Sequence, residues 1–228
     1  MNFIMSDIIL ITSVINTGTM PWSYSKDRSV FSPEERFLQT LKTIESIRTY
    51  FQSAKIFLIE CSDLKQEFAE TFREKVEYFV NVYENQEIRD SCINTYKKGY
   101  GEGMKTKFAI EFLFQHQIPF RRLFKISGRY LLNERFNETL FSYDSFTFKK
   151  RIDKQYPHVL SHFTFLYSVP FPLIQHFYSA LCWTIDFYRN NEPIGYEELL
   201  PTVCNPKVLL STLGCTGNYA VNNEFIDE

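Results

Sequence analysis

A cluster of glycines is the first feature of this sequence that points to chemistry. Gly99, Gly101 and Gly103 alternate with Tyr100 and Glu102 just ahead of an apolar segment with helical spacing. Backbone N–H groups at such a turn are placed to face an anion such as a phosphate. The same glycines also suit a plain turn that needs backbone freedom. The spacing matches neither a Walker loop nor a dinucleotide fingerprint, so both hypotheses stay open.

The cysteines give no support for a zinc site or a disulfide framework. They number five, they are widely spaced, and no two form a C-x-x-C pair. This pattern is typical of a reducing compartment, so we expect a cytoplasmic location. The G-x-S-x-G motif of many hydrolases does not occur in the sequence.

Composition indicates a folded protein and excludes some functions. Of the 228 residues, 44% are apolar and 23% are charged, which is ordinary for a folded chain. The net charge of −2 does not favour non-specific binding to nucleic acids. No stretch reaches the roughly 18 uncharged apolar residues of a membrane span, which leaves only peripheral membrane contact open. The 23 Phe and 14 Tyr residues supply aromatic rings for a core and for pocket walls.

The first half of the chain reads as a β-α-β unit. Ile8–Ile15 and Ala54–Cys61 are short apolar runs rich in β-branched residues, which is typical of buried parallel strands. Between them, Ser32 and Glu35 form a capping box around Pro33, which predicts a helix start. Strands joined by such a crossover lie parallel in one sheet.

The rest of the sequence predicts further loops, helices and strands. Residues 16–30 predict a long loop, and residues 84–100 predict an irregular polar segment. Further helices are predicted over Leu64–Lys75, Met104–Gln117, Pro170–Arg189 and Tyr196–Cys204, and further strands over Val76–Tyr83, Arg122–Ile126, Thr139–Lys149 and Val159–Ser168. We therefore predict a single α/β domain over residues 1–228. Its mostly parallel central sheet is flanked by helices, and its C-terminal region, residues 134–228, is more irregular than residues 1–133.

Three of the predicted strands end in polar residues. The first ends in Thr12-Ser13-Val14, the second in Ile59-Glu60-Cys61, and the fourth runs through Lys125-Ile126 into Ser127-Gly128-Arg129-Tyr130. The helix before the fourth strand carries Lys105. In element order, Ile8–Asn133 resembles the nucleotide-sugar half of GT-A-fold glycosyltransferases of the bacterial-polysaccharide and large-DNA-virus type.

The resemblance implies a function. Such proteins transfer a sugar from a nucleoside-diphosphate-sugar donor to a glycan or glycolipid acceptor. Residues 1–133 would hold the donor, and residues 134–228 would shape the acceptor cleft. Open parallel sheets bind ligands outside the carboxyl ends of their strands. The donor-binding residues that the resemblance implies are Thr12, Ser13, Val14, Glu60, Lys105, Lys125, Ser127, Gly128 and Tyr130.

One motif of the resembled family is missing. Its members usually carry an Asp-x-Asp that holds a divalent metal against the diphosphate, and this sequence contains no Asp-x-Asp. Ser127-Gly128-Arg129-Tyr130 stands at the matching place. A departing diphosphate needs positive charge, and Arg129 supplies it as a fork suited to phosphate. We therefore expect no metal ligands and no required cofactor, with Mn²⁺ or Mg²⁺ still open.

The resemblance also gives a role to an acidic pair. An inverting transferase needs a carboxylate that takes the proton of the acceptor hydroxyl. Glu197 and Glu198 lie on the predicted helix Tyr196–Cys204, and we identify them as candidates for this catalytic base. Adjacent helix positions point about 100° apart, so at most one faces a site. The alternative is a solvated acid pair at a helix start.

Two other functions stay as alternatives. The missing Asp-x-Asp favours a non-catalytic binding or scaffold domain that keeps the fold. A nucleotidyltransferase shares the sheet but needs a glycine-rich basic loop after the first strand, where residues 16–26 offer only Gly18.

Overall fold

A seven-stranded sheet forms the centre of the protein. The computed structural model describes residues 5–151, 161–190 and 195–228. The strands are β1 (Ile8–Ser13), β2 (Lys55–Glu60), β3 (Tyr78–Asn81), β4 (Arg122–Ser127), β5 (Tyr130–Leu132), β6 (Thr147–Arg151), β7 (Ser161–Pro170), β8 (Val208–Leu209), β9 (Cys215–Asn218) and β10 (Phe225–Asp227). The helices are α1 (Pro33–Tyr50), α2 (Gln66–Lys75), α3 (Gln86–Ile93), α4 (Lys98–Gln115), α5 (Ile174–Asn190) and α6 (Tyr196–Cys204).

The sheet is parallel in its first half and mixed in its second. Its order is β3-β2-β1-β4-β7-β6-β8, and the first four strands pair in parallel. β7 is antiparallel to both β4 and β6. In this register Thr12 lies opposite Ser127, and Ser13 lies opposite Glu60. The polar ends of β1, β2 and β4 therefore meet at one edge, as the sequence predicts.

Apolar side chains cover both faces of the sheet. Every residue of β1 and β4 is buried. Leu10 packs in the cluster on the α4 side, whereas Ile11 packs in the cluster that includes Ile44 of α1. Burial on both faces explains why these strands read as continuous apolar runs.

Helix α1 begins as the sequence predicts. The Ser32 hydroxyl accepts a hydrogen bond from the Glu35 amide at 3.2 Å, and the Glu35 carboxylate accepts one from the Ser32 amide at 2.7 Å. Pro33 holds the first helical position. The buried face of α1 includes the polar residues Arg36 and Thr40.

A second, three-stranded sheet ties the C-terminal tail to the end of β4. β9 pairs with β5 and β10, both antiparallel. The Val30 amide donates to the Ala220 carbonyl at 2.7 Å, so the loop after β1 is also fixed to the tail. Residues 219–221 thereby reach the edge where the polar strand ends meet.

Two local predictions are wrong, and a third is confirmed with shifted bounds. Residues 84–100 are not irregular, because α3 occupies Gln86–Ile93 with Asn85 as its cap. Thr139–Lys149 is not one strand: a 3₁₀ turn covers Glu138–Leu140, and β6 starts at Thr147. The predicted strand Val159–Ser168 corresponds to β7, which runs to Pro170, while residues 159 and 160 lie outside the described residues.

The glycine cluster is not a turn but part of helix α4. Gly99, Gly101 and Gly103 all lie within Lys98–Gln115. A Cβ on Gly101 would lie 2.7 Å from the Ser91 carbonyl oxygen, and one on Gly99 would lie 2.2 Å from the Tyr196 Cβ. The glycines therefore let α4 approach α3 and α6 closely, which explains their spacing without a phosphate loop.

In the part of the chain that the structure describes, no helix is long and apolar enough to cross a bilayer.

Candidate functional site

A cavity lies at the carboxyl ends of β1 and β4. Thr12 and Val14 border it from β1, and Ser127 borders it from β4. The loop after β1 contributes Trp22, and the C-terminal tail contributes Val221. Parallel sheets bind ligands at this edge. Four of the predicted strand-end residues line the cavity, and so does Lys105.

The wall of this cavity is strongly basic. One carboxylate, Glu102, faces five cationic side chains that come from four different parts of the chain. These are Arg28, Arg36, Lys98, Lys105 and Arg129. Among the described residues, no carboxylate forms an ion pair with any of the five. Uncompensated cations around a cavity attract an anionic ligand.

Arg36 is one of the most deeply buried of these cations. Its side chain is 4% exposed, its Nε donates to the Val14 carbonyl at 2.7 Å, and one terminal nitrogen donates to the Ser29 hydroxyl at 3.2 Å. Burial, and secondarily the charge of Arg129, lowers the pKa of Arg36 to about 9. The charged form is thus disfavoured where it stands, and a bound anion would stabilise it.

Arg28 lies in the loop after β1 and lines the cavity on that side. Its guanidinium donates to the carbonyl of Ile93, the last residue of α3, and to the carbonyl of Thr95 just after it. The guanidinium also lies over the Trp22 ring, 3.7 Å from its centroid. Its Nε is buried and has no hydrogen-bond partner within the described structure. The loop after β1 is therefore anchored to α3 while one donor stays available to a ligand.

Lys105 and Arg129 complete the basic wall. Lys105 is 5% exposed, and its Nζ donates to the Ser13 carbonyl at 2.8 Å. Arg129 follows β4 directly, and its Nε is buried without a hydrogen-bond partner within the described structure. Both lie on the wall, and their roles towards a donor stay predictions.

Lys125 and Glu102 form an ion pair at the edge of this cavity. The Lys125 Nζ contacts the Glu102 Oε1 at 2.5 Å, the Ser127 hydroxyl at 2.9 Å and the Thr164 carbonyl at 2.8 Å. Lys125 is fully buried, and this burial lowers its pKa to about 8. Its three protons are engaged by protein groups, so Lys125 itself does not face the cavity.

Four other predicted residues also serve internal contacts. The Ser13 hydroxyl meets the Thr40 hydroxyl at 3.4 Å, and the Gly128 carbonyl accepts from Thr40 at 2.9 Å. Glu60 is fully buried and accepts from the Ile15 amide at 2.8 Å and from the Ser62 hydroxyl at 2.5 Å. Tyr130 stacks on the ring of Phe165 with centroids 4.2 Å apart. The structure places these side chains behind the cavity wall, and their donor-binding role stays a prediction.

A second cavity adjoins the first. Glu197 and Glu198 both line it, and Glu197 pairs with Arg151 at 3.0 Å. Four tyrosines contribute to its wall: Tyr24, Tyr188, Tyr196 and Tyr219. The predicted acids therefore lie with aromatic rings at a cavity separate from the main group of cations.

Arg28 and Arg36 are missing from the sequence predictions, as are Lys98 and Glu102. A signal exists for Arg36. With Thr40 and Thr43 it forms a polar stripe at helical spacing beside the apolar stripe of α1. Such a stripe on a buried helix face indicates polar partners or a site.

The cavity residues do not suit a divalent metal. Hard cations such as Mg²⁺ bind carboxylate and carbonyl oxygens, and structural metals favour His or Cys clusters. Within the described ranges, no group of three or more His, Cys, Asp or Glu side chains is placed to hold an ion. The one carboxylate of the first cavity, Glu102, already pairs with Lys125. The donor set at the strand ends is cationic, so no step is assigned to a metal.

Comparison with known proteins identifies the fold. No family model matches the sequence, and no curated protein matches it significantly. The apo form of the glycosyltransferase GlyE from Streptococcus pneumoniae superimposes with a TM-score of 0.52 at 10% identity, over 90% of this chain and 45% of that one. An active-site mutant of LgtC superimposes with a TM-score of 0.53 at 9% identity, over 90% of this chain and 72% of that one.

These matches show a GT-A-like glycosyltransferase fold at low sequence identity. The predicted α/β architecture with a mostly parallel central sheet is confirmed. This chain spans less than half of the length of the GlyE chain. Fold alone does not fix function, which has to be argued from the site.

Proposed function

We propose that this protein transfers a sugar from a nucleoside-diphosphate-sugar donor to a carbohydrate acceptor. One observation carries the proposal: five cations that have no ion-pair partner among the described residues surround the cavity at the strand ends of a GT-A-like fold. A nucleoside diphosphate matches this wall, because it joins two anionic phosphates to a flat base and a polar ribose. The Trp22 ring and the hydroxyls of Thr12 and Ser127 lie on the same wall.

The proposed chemistry needs positive charge where the sugar–phosphate bond breaks. The departing diphosphate gains negative charge in the transition state, and fixed cations stabilise it without reorganisation. Arg129 and Lys98 are suited to this task, since both border the first cavity and Lys98 borders the second as well. A guanidinium binds phosphate oxygens in a bidentate fork, so Arg129 replaces the charge that a metal gives in other enzymes.

The acceptor would occupy the second cavity. Tyrosine rings offer apolar faces to sugar rings, and their hydroxyls offer hydrogen bonds. Glu197 and Glu198 would accept hydrogen bonds from the acceptor's hydroxyl groups. We thus propose a glycan or the sugar head of a glycolipid as the acceptor.

Binding of free nucleotides tests the donor site. Titration calorimetry with UDP and with GDP, in buffer containing EDTA, should give a measurable dissociation constant for at least one of them. Arg129→Ala should weaken that binding about tenfold or more, because a hydrogen bond to a charged group contributes about 1.5–3 kcal/mol. Arg73→Ala removes the same charge from the exposed face of α2 and should leave affinity unchanged. Equal affinity of Arg129→Ala and wild type would contradict the role of Arg129.

Turnover separates an enzyme from a binding domain. Release of nucleoside diphosphate from a panel of UDP- and GDP-sugars would be followed with and without EDTA. Equal rates in both conditions support metal-independent transfer. Tight nucleotide binding without turnover under added Mn²⁺ or Mg²⁺ would instead favour the non-catalytic domain.

A further inference from the structure

Three residues border both cavities: Lys98, Glu102 and Val221. If the diphosphate lies in the first cavity and the acceptor in the second, the reacting carbon lies at their junction. This reasoning rests on the proposed function. Of the three residues, only Glu102 has a carboxylate, and only Lys98 has a cation.

Glu102 is held firmly at this junction. Its side chain is 20% exposed, and its Oε1 contacts Lys125 Nζ at 2.5 Å. Lys125 is itself fixed by Ser127 and Thr164, which line the first and second cavities respectively. Lys125 thus fixes one carboxylate oxygen, while the other, Oε2, accepts no hydrogen bond from the residues that the structure describes.

We infer that Glu102 is the catalytic carboxylate of the transfer and that Lys125 is its positioning residue. Oε2 of Glu102 accepts the proton of the acceptor hydroxyl. The acceptor oxygen then forms a bond to the anomeric carbon, and the bond from that carbon to the phosphate oxygen breaks. The electron pair of that bond leaves with the diphosphate, which Lys98 and Arg129 stabilise. Charge is balanced, since the proton stays on Glu102 until it passes to water.

Glu197 and Glu198 are less well placed for this step. Both line only the second cavity, and Arg151 engages one oxygen of Glu197. A base must lie within hydrogen-bond distance of the hydroxyl that attacks, next to the breaking bond. Glu102 meets this requirement at the junction, whereas the acidic pair is suited to holding the acceptor's other hydroxyls.

The test compares isosteric variants on donor hydrolysis, in which water is the acceptor. The probes are UDP-glucose, UDP-galactose, UDP-N-acetylglucosamine and GDP-mannose, with release of nucleoside diphosphate as the readout. Glu102→Gln should lower kcat by about 100-fold or more, which is the usual contribution of a general base. Affinity for the free nucleotide should stay equal or rise, because the variant removes a negative charge from an anion site. Glu111→Gln lies on the same helix outside both cavities and should match wild type.

A second variant shows whether low activity of Glu102→Gln comes from the lost carboxylate or from a destabilised fold. Glu102→Gln leaves the buried Lys125 without its carboxylate, which destabilises a folded protein. The double variant Glu102→Gln with Lys125→Met removes both charges together. It should bind nucleotide and keep the same low kcat.

The pH dependence of kcat distinguishes a positioning role of Lys125 from a purely structural one. Lys125→Met removes the cation beside Glu102, and a carboxylate without a neighbouring cation takes up a proton more readily. The acid limb of kcat should therefore move to higher pH in this variant, with activity partly kept on the alkaline side. An unshifted limb would overturn the positioning role.

Different results would contradict the role of Glu102 and the proposed sugar transfer. If wild type releases nucleotide and Glu102→Gln does so at a similar rate, the role of Glu102 is wrong while sugar transfer stands. Loss of activity in Glu198→Gln, with Glu102→Gln active, would assign the base to the acidic pair. If wild type binds nucleotide but hydrolyses none of the four donors, the transfer itself and the role of Glu102 are both overturned.

Discussion

Arg36 donates a hydrogen bond of 2.7 Å from its Nε to the carbonyl of Val14, which joins the first helix to the residue that follows the first strand. The contact places a buried guanidinium at the carboxyl edge of the sheet. A fully buried cation is costly unless a counter-charge is near. Glu60 acts on Arg36 only at longer range, and no described carboxylate forms a direct ion pair with it, so the position makes physical sense as part of an anion site.

Arg36→Met should weaken nucleotide binding and remove much of its stabilising effect. A nucleoside diphosphate at a hundred times its dissociation constant raises the free energy of unfolding by about 2.7 kcal/mol. Urea unfolding of wild type with and without UDP or GDP should show this increase, and Arg36→Met should show much less. Arg48→Met, an exposed arginine of the same helix that pairs with Glu77, serves as control. Equal stabilisation of Arg36→Met and wild type would contradict the anion site.

Gly101→Ala should destabilise the fold. The added Cβ would lie 2.7 Å from the Ser91 carbonyl oxygen and 2.8 Å from the Cys92 Cα, so α3 and α4 would have to separate. Overpacking of this kind costs about 1–3 kcal/mol. Gly195→Ala, where the nearest atoms are 3.9 Å away, should change stability by less than about 0.5 kcal/mol. Denaturant unfolding compares the two variants; similar values for both would rule out close helix packing as the reason for Gly101.

Lys125 should make stability depend on pH in the mildly alkaline range. Burial lowers its pKa to about 8, below the ordinary value of 10.5. Between those two values the unfolded chain holds a proton that the folded chain has released. The free energy of unfolding therefore rises with pH there, by up to about 1.4 kcal/mol per pH unit from this group.

Unfolding curves from pH 7.5 to 9.5 for wild type and Lys125→Met test this prediction. The difference between the two proteins isolates Lys125 from other groups that titrate in the same range. Wild type should gain stability relative to the variant as the pH rises. Parallel curves would show that Lys125 keeps an ordinary pKa.

Ser32→Ala should lower stability without affecting the ligand site. It removes the hydroxyl that accepts from the Glu35 amide, and loss of such a cap costs about 1 kcal/mol. Nucleotide affinity should stay within experimental error, because α1 still delivers Arg36 to the cavity. Ser53→Ala, an exposed site beyond the helix, is the matched control. A loss equal to that of the control would exclude a capping role.

Local signals made much of the fold predictable. The capping box at Ser32 and the apolar runs of β1 and β2 depend on neighbouring residues, and they appear in the structure within one or two residues of the predicted positions. The parallel order followed from the β-α-β pattern. Failures occurred where local and tertiary signals conflict. Three glycines in five residues indicate a turn, yet α4 keeps them because neighbouring helices leave no room for a Cβ.

The sequence by itself determined the strand ends, and with them Thr12, Ser127 and Arg129 as neighbours at one edge of a parallel sheet. Tertiary structure alone decided which charges face the cavity. Glu60 ends a strand and Lys125 lies two residues before the end of one, but their partners within the fold engage them. Arg28 and Arg36 come from a loop and a helix that meet the strand ends only in three dimensions. The reason is physical: periodicity and caps act over a few residues, whereas electrostatic interactions depend on distances between parts of the chain that lie far apart in sequence.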